Sequence, residues 1–314
     1  MDGMIVIRKE KGYTSHDVVA KLRGILHMKK IGHTGTLDPD AEGVLPVALG
    51  KATRLVDLIT DKEKTYEAVM RLGVVTDTQD MSGTVLSQVS ELNITEEELR
   101  TVIASFVGDY MQVPPMYSAL KVNGKKLYEL AREGIEVERK ARRVHIYSIH
   151  INEMNLEDEE KTVTFTVECS KGTYIRTLCD DIGQKLGCGA CMMKLTRTRV
   201  GSFAIDESLT LNQISALCLK GDFDAKVIAV DEMFPDYRKI TVTEENNKLI
   251  YNGNKFGPDA VKESENMEYV DTESFRVYDE NAEFIGIYRY EGNVFAPVKM
   301  FYSGSQPETK GMES

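Results

Sequence analysis

Residues 30–50 decide the reading of this sequence: Lys30-Ile31-Gly32-His33-Thr34-Gly35-Thr36-Leu37-Asp38-Pro39-Asp40-Ala41-Glu42-Gly43-Val44-Leu45-Pro46-Val47-Ala48-Leu49-Gly50. Four glycines and two prolines in this stretch predict a tightly turned backbone, and the apolar run that ends it predicts that the turn is held against a core. At its centre Asp38 precedes Pro39, a step that favours turn initiation and an extended preceding residue, so the carboxylate has a set direction. For an Asp in a turn, closing an Asx-turn or capping a helix is the commoner role. Two phosphate-binding patterns fail here. Six residues separate Gly43 from Gly50-Lys51 where a P-loop needs four, and Ala52 stands where Ser or Thr would bind magnesium. No G-x-G-x-x-G occurs, so a dinucleotide site has no support.

Outward from this stretch the chain alternates strands and helices. Residues 3–8 read as a short strand, Gly12-Tyr13 as a turn, and Thr14 or Ser15 as the cap of a helix with Val18, Val19, Leu22, Ile25 and Leu26 at helical spacing. A second helix is predicted over 51–59 and an alternating strand over 63–73. Thr95-Glu96-Glu97-Glu98 reads as a capping box opening a helix that runs to about Phe106. Strands follow over 141–152 and 161–170, separated by an acidic turn, then a strand-to-helix joint near Tyr174, a strand ending at Gly201 and a helix near 210–219. Beyond Pro235 the pattern turns strand-rich, at 239–242, 274–278 and 284–290. Residues 303–314 read as a disordered tail.

The 314 residues are enough for one large domain and a small one, and 42% apolar with 28% charged residues is ordinary for a globular protein. The N-terminus has no cationic leader followed by a long apolar stretch, and no run approaches a membrane span, so no membrane association and a cytosolic location are expected. Five thinly spread cysteines predict reduced thiols, with Cys188-x-x-Cys191 read as packed side chains because nothing nearby completes a zinc site. Asp77 and Asp80 do not fit a calcium loop, since Met81 replaces a ligand and no Glu closes it. No metal is expected. Net charge is −11, which at first opposes a nucleic-acid partner. Its distribution matters more: residues 231–314 carry −8 and residues 1–230 only −3. Between Lys121 and Arg143 stand eight basic residues, Lys121, Lys125, Lys126 and Arg132 among them, against four glutamates. Such a run is most often a solvated helix face.

Residues 32–43, GHTGTLDPDAEG, resemble the catalytic loop of the bacterial tRNA pseudouridine-55 synthases, the TruB-type family, with the pattern G-H-[TG]-G-x-L-D-P-x-A-x-G. The resemblance extends along the chain. It takes in K-x-x-G-x-[TS]-S-H-x-V from Lys9, K-x-Y followed by x-L-G-x-x-T-D-T-x-D over 64–80, and Q-x-P-P-x-[YF]-S-A-x-K-x-x-G-x-x-x-Y-x-x-A-R over 112–132. S-x-G-x-Y-[IV]-R-x-[IL] at 170–178 and G-x-x-A-x-[ML]-x-x-L-x-R-x-x-x-G at 187–201 complete it. Cys191 departs from the His often found at that position.

The resemblance implies an α+β pseudouridine-synthase fold, with a central mixed, largely antiparallel sheet flanked by helices. It implies a catalytic domain over 1–232 with an RNA-clamping basic insertion at about 112–143, and a PUA-like β-barrel over 237–302. Asp38 is then the nucleophile, Arg176 its partner, Tyr66 and Tyr174 the aromatic neighbours of the target base, Leu195 an apolar wall, and His33 a support for flipped-out nucleotides. Lys64 and the cations Lys121, Lys125, Lys126 and Arg132 would bind the substrate, the T-arm stem-loop of tRNA. No cofactor is needed for this isomerisation, and a monomer is expected. An Asp is ionised at neutral pH, and a nearby Arg would keep it so. Tyr66 is the candidate proton acceptor. Two competing functions have the same starting residues: a tRNA-binding folding chaperone whose chemistry is dispensable, and a hydrolytic glycosidase pairing Asp38 with Asp40 or Glu42.

Overall fold

The computed structural model describes residues 1–89, 91–122, 124–262 and 267–302, so the expected tail at 303–314 lies outside the described residues. The chain opens with β1 (Gly3–Lys9), α1 (Ser15–Leu26), β2 (Ile31–His33) and β3 (Glu42–Leu49). α1 starts where the sequence sets it: the Thr14 hydroxyl accepts from the Asp17 N–H at 3.1 Å, and the Thr14 N–H donates back to the Asp17 carboxylate at 2.8 Å. The helix expected over 51–59 is instead a 3-10 turn, Gly50–Leu55, followed by a short α2 (Val56–Thr60). There the Thr53 hydroxyl donates to the Gly50 carbonyl at 2.8 Å, a local bond that competes with the α-helical ladder.

β4 (Lys64–Leu72) leads into a hairpin of β5 (Val74–Thr76) and β6 (Val85–Gln88), then α3 (Glu96–Ala104) and β7 (Gly108–Gln112). The insertion holds a second small hairpin, β8 (Lys121–Val122) and β9 (Lys125–Lys126), and α4 (Leu127–Arg132). β10 (Arg142–Asn155), β11 (Thr162–Cys169), α5 (Ile175–Leu186), β12 (Ala190–Val200), β13 (Phe203–Ala204) and α6 (Leu211–Lys220) follow. The main sheet runs β1-β3-β12-β4-β11-β10-β7, with β2 paired to β3 and β13 to β12. β3 and β12 pair in parallel, whereas the ladders from β12 through β4, β11 and β10 to β7 are antiparallel. This is the mixed, mostly antiparallel α+β arrangement that the resemblance implies.

Alternation in β4 and β11 puts Tyr66, Ala68, Met70, Val163, Phe165 and Val167 into one apolar cluster with Leu99 and Ile103 of α3 and Ile175, Leu178, Cys179 and Ile182 of α5. Phe165 has no exposed surface, and burying a side chain of that size contributes on the order of 2–3 kcal/mol. The loop residues Leu37 and Ala41 and the strand residue Leu195 belong to the same cluster, so the core itself reaches the loop.

The chain divides into two compact units: Ile5–Val47 with Leu55–Phe223, and Met1–Met4 with Ala48–Arg54 and everything from Asp224 onward. The second unit contains β14 (Arg238–Thr241), α7 (Asn247–Tyr251), β15 (Ser274–Tyr278), β16 (Phe284–Glu291) and β17 (Val294–Met300), paired in the order β14-β15-β16-β17. Phe256, Phe275, Tyr288 and Phe295 form its core. Isolated bridges join Val242 to Val261 and Phe256 to Phe295, so the segment 256–261 touches the chain beside both edge strands. Among the described residues no helix is long and apolar enough to cross a membrane.

Candidate active site

The turn that carries Asp38 is bolted down on both sides. Leu37 and Ala41 are buried, and the backbone closes tightly with the Ala41 N–H donating to the Asp38 carbonyl at 3.1 Å. The Leu37 N–H donates to the Ser15 hydroxyl at 3.0 Å, which ties the loop to the start of α1. The Pro39 carbonyl accepts from the Gly12 N–H at 2.9 Å and from the Lys9 ammonium at 3.0 Å. Lys9 is almost fully buried, and that burial lowers its pKa to about 8 against the pull of Asp38, Glu42 and Asp40. Gly43 sets the loop's far end: its φ is +107°, and a Cβ there would lie 2.2 Å from the Arg197 carbonyl oxygen. The parallel pairing of Gly43 with Arg197 depends on that missing side chain.

Asp38 meets Arg176 across 138 residues of sequence. Arg176 Nε lies 3.0 Å from Asp38 Oδ2, and its Nη2 donates to Asp38 Oδ1 at 3.4 Å. The guanidinium is buried and fully engaged: Nη1 donates to the Thr78 carbonyl at 3.1 Å, Nη2 to the Tyr117 carbonyl at 2.9 Å, and Nη1 sits 3.5 Å from Asp80 Oδ2. Asp80 is itself set by its turn, since its Oδ1 accepts from the Thr78 hydroxyl at 2.7 Å and the Ser82 N–H at 2.9 Å. The polar-turn reading of Asp77 and Asp80 therefore leaves one Asp80 oxygen free to face Arg176.

The Asp38 side chain keeps 40% of its exposure, so it is reachable from solvent while its partner is not. Its pKa is nonetheless raised: burial by the surrounding pocket pushes it up, Arg176 pulls it down, and Asp80 adds a further upward push. Arg176 lies beside the carboxyl, and burial is the larger influence on it. Loss of water and a second carboxylate outweigh the guanidinium.

β4 and β12 supply the pocket wall. Tyr66 pairs directly with Arg197, and Leu195 pairs with Ala68 one step along the same face. Both Tyr66 and Leu195 are buried in the cluster that holds Leu37. Burial raises the Tyr66 pKa, while the Arg197 guanidinium, hydrogen-bonded to the phenol, works in the other direction. A phenol raised above its usual value is protonated at neutral pH, so Tyr66 presents a ring and a hydroxyl to the pocket. Arg197 falls within the motif at 187–201, which assigns it no role. It is 2% exposed, its Nε donates to the Val44 carbonyl at 2.7 Å, and its Nη2 has no partner. The signal that could have found it is a cation two residues beyond Leu195, on the same face of the strand.

Tyr174 stands at the N-cap of α5, two residues before Arg176, and is half-buried with its phenol pKa raised by burial. His33 packs edge-on against His16 with ring centres 5.1 Å apart, and its Nδ1 accepts from the Gly35 N–H at 3.4 Å. Burial, His16 and Arg197 all lower its pKa, which favours the neutral ring at neutral pH. Lys64 is 7% exposed, and its ammonium donates to the carbonyls of Thr60 at 2.7 Å and Lys62 at 2.5 Å. Its pKa falls to about 8 through burial, and its donors are engaged in closing the turn before β4.

The insertion cations lie apart from this cluster. Lys121, Lys125 and Arg132 are exposed, Lys126 is half-buried, and Lys125 pairs with Glu133 at 3.5 Å. Lys126 and Arg132 both stack over the Tyr128 ring, at 5.3 and 5.4 Å from its centre. Cys188 and Cys191 are free thiols; Cys191 is buried with its sulfur 3.5 Å from that of Met81, and burial pushes its pKa to about 11.

A profile described as "TruB family pseudouridylate synthase (N terminal domain)" matches residues 23–175, and one described as "tRNA pseudouridylate synthase B C-terminal domain" matches residues 176–234. The chain belongs to the TruB pseudouridylate synthase family. TruB-family membership makes it a pseudouridine synthase, an isomerase. It is 48% identical over 307 residues to a protein of Lachnoclostridium phytofermentans named tRNA pseudouridine synthase B, with 96% of this chain and 100% of that protein covered. A protein of the same name from Clostridium acetobutylicum is 44% identical over 301 residues, covering 96% and 99%. Among solved structures, a Cbf5-Nop10-Gar1 complex matches with a TM-score of 0.69 and 26% identity, over 96% of this chain and 85% of that one. The TruB-type fold also matches an H/ACA RNP bound to a substrate RNA containing 2'-deoxyuridine, at a TM-score of 0.69 and 24% identity, over the same shares of the two chains.

Proposed function

We propose that this protein isomerises uridine 55 in the T loop of tRNA to pseudouridine, with Asp38 as the nucleophile. The observation that carries the reading is the Asp38–Arg176 ion pair, half open to solvent on the carboxylate side and walled by Tyr66, Leu195 and Tyr174. In the reaction the bond from C1′ to N1 breaks, the uracil turns, and a bond from C1′ to C5 forms. The C5 proton leaves and N1 gains one, so mass is unchanged and no redox group takes part. A carboxylate attacking either C1′ or C6 serves this sequence, and its raised pKa strengthens it as a nucleophile while leaving a definite acid limit to activity.

Arg176 holds the carboxylate in place through Nε and Nη2 and does so without freedom to swing, because three other acceptors fix the same guanidinium. The target base has to leave its stack, at a cost on the order of a few kcal/mol, and rings at Tyr66 and Tyr174 with Leu195 would offset that cost by enclosing it. His33, neutral and held by Gly35, is placed to accept or donate to an extruded neighbour. The exposed cations of the insertion would meet the phosphates of the T-arm stem. Residues 1–232 serve as the catalytic domain in this reading. The unit from β14 to β17, bridged at both edges by 256–261, is read as a small PUA-like barrel over 237–302. We expect a monomer working in the cytoplasm.

The direct test incubates the protein with an unmodified T-arm stem-loop and maps pseudouridine by carbodiimide. A single carbodiimide stop at position 55 is expected. Release of free uracil would mean hydrolysis instead, and tight binding without any stop would leave the chaperone reading standing.

A further inference from the structure

Gln112 joins the RNA-binding insertion to the helix that carries Arg176, and it does so as a peptide group would. It is the last residue of β7 and is 1% exposed. Its Nε2 donates to the Tyr174 carbonyl at 2.9 Å, and its Oε1 accepts from the Tyr174 N–H at 2.8 Å. These two bonds reproduce what a neighbouring strand would offer, yet the Tyr174 peptide stands at a helix entry with extended backbone and no side-chain cap. The same Tyr174 carbonyl accepts the first intrahelical bond, from the Leu178 N–H at 3.0 Å. Gln112 therefore grips the first turn of α5, in which Arg176 sits.

The other side of Gln112 faces the insertion. In the ladder of β7 with β10 it lies opposite Arg142, so the insertion leaves the sheet and returns to it at one register pair. One more tie runs from the insertion's root to the pocket: the Tyr117 carbonyl accepts from Arg176 Nη2 at 2.9 Å. A buried carboxamide matched on both its donor and acceptor is costly to replace with a group that matches one or neither.

We propose that Gln112 is a positioning residue for the isomerisation: its carboxamide holds Tyr174 and Arg176 in register with the root of the insertion, so that RNA seated there meets a correctly placed pocket. The proposal rests on the roles given above to Asp38, Tyr174 and Arg176.

The test compares wild type, Gln112→Met, Gln112→Glu and Asp38→Asn on a T-arm stem-loop, by single-turnover conversion at saturating RNA, by RNA affinity and by thermal melting. Methionine keeps the volume and loses both bonds. It should lower the single-turnover rate by about tenfold or more, the scale on which misplaced catalytic groups act, while RNA affinity stays within about threefold. Glutamate matches both Tyr174 groups only when protonated. Its rate relative to wild type should rise from mildly alkaline to mildly acidic pH, with melting showing both proteins folded over that range. Arg142, Arg176 and Asp38 act on the neighbouring Tyr174 phenol in both proteins, and a charge at 112 shifts Asp38 in turn, so the ratio is read above the acid limb of each protein.

A wild-type rate in Gln112→Met overturns the proposal, as does a loss confined to affinity. If the methionine variant does not fold, a flat glutamate ratio overturns it and a rising one supports it. Turnover by Asp38→Asn would instead sink the nucleophile assignment. An inactive Asp38→Asn beside a fully active Gln112→Met removes the Gln112 role alone.

Discussion

The loop at 32–43 and the insertion beyond Gln112 are both turn-rich and both polar, yet they are held in opposite ways. The loop has core residues on either side of its functional group, Leu37 and Ala41, and its carbonyls and N–H groups are matched by Gly12, Ser15 and Lys9. The insertion shows its cations to solvent, with Lys121, Lys125 and Arg132 all exposed. A group that makes and breaks bonds has to be held to a fraction of an ångström, and close packing supplies that. A cation that meets a phosphate needs reach more than precision, and a flexible stem on the surface supplies it.

The contrast can be broken most severely at its rigid end. Asp38→Asn keeps the shape of the side chain and removes the proposed nucleophile, so single-turnover conversion should fall by at least about a thousandfold, with RNA affinity retained. A variant with a tenth of wild-type rate would show that the loop only orients substrate. Next in size, Arg176→Lys keeps a positive charge but cannot span Asp38, Asp80, Thr78 and Tyr117 at once, and a loss of roughly a hundredfold in rate is expected.

The pH dependence sharpens the same point. Activity needs the ionised form of Asp38, whose pKa is raised, so the rate should fall as pH drops through a value above the ordinary carboxylate range. In Arg176→Lys the carboxylate loses part of its compensation and the acid limb should move further upward. An acid limb at the ordinary carboxylate value in both proteins would show that burial does not govern this group.

Leu37→Ala leaves every polar group in place and tests the packing alone. A loss of about 2–5 kcal/mol in unfolding free energy is expected for a buried leucine, with a rate loss as the turn loosens. Undiminished activity in a destabilised protein would separate the core from the precision of the site. The smallest effects belong to the insertion. Single Lys121→Ala or Lys125→Ala changes should weaken RNA binding modestly and shrink its salt dependence by about one unit of the log–log slope, with the saturating rate held.

The residues of the candidate site were more legible in the sequence than its supports. Asp38, Arg176 and Tyr174 stand in spaced motifs and the structure brings Asp38 to Arg176, and α1 announces itself through Thr14. β3 did not, because Pro46 lies inside it and proline lacks a ladder N–H. The carbonyl of that proline is used instead, accepting from the Thr34 N–H at 3.1 Å. β17 was hidden for a similar reason, with Pro297 in mid-strand. Arg197 and Gln112 escaped because their importance is three-dimensional. One acquires its place from the missing side chain at Gly43, the other from a peptide 62 positions away. The upward push on Asp38 was out of reach for the same cause: a sequence shows which cation is near but not how much water has gone.

The rung formed by Gln112 and Arg142 has one more implication. Because the excursion between them begins and ends on a single step of the ladder, its length is uncoupled from the spacing of the strands beneath it. Residues can be added to or trimmed from its outer part, beyond Ser118, without shifting any ladder in the sheet. In the proposed reading, the grip on RNA and the chemistry on the base can therefore be altered one at a time, as a handle is changed without regrinding the blade.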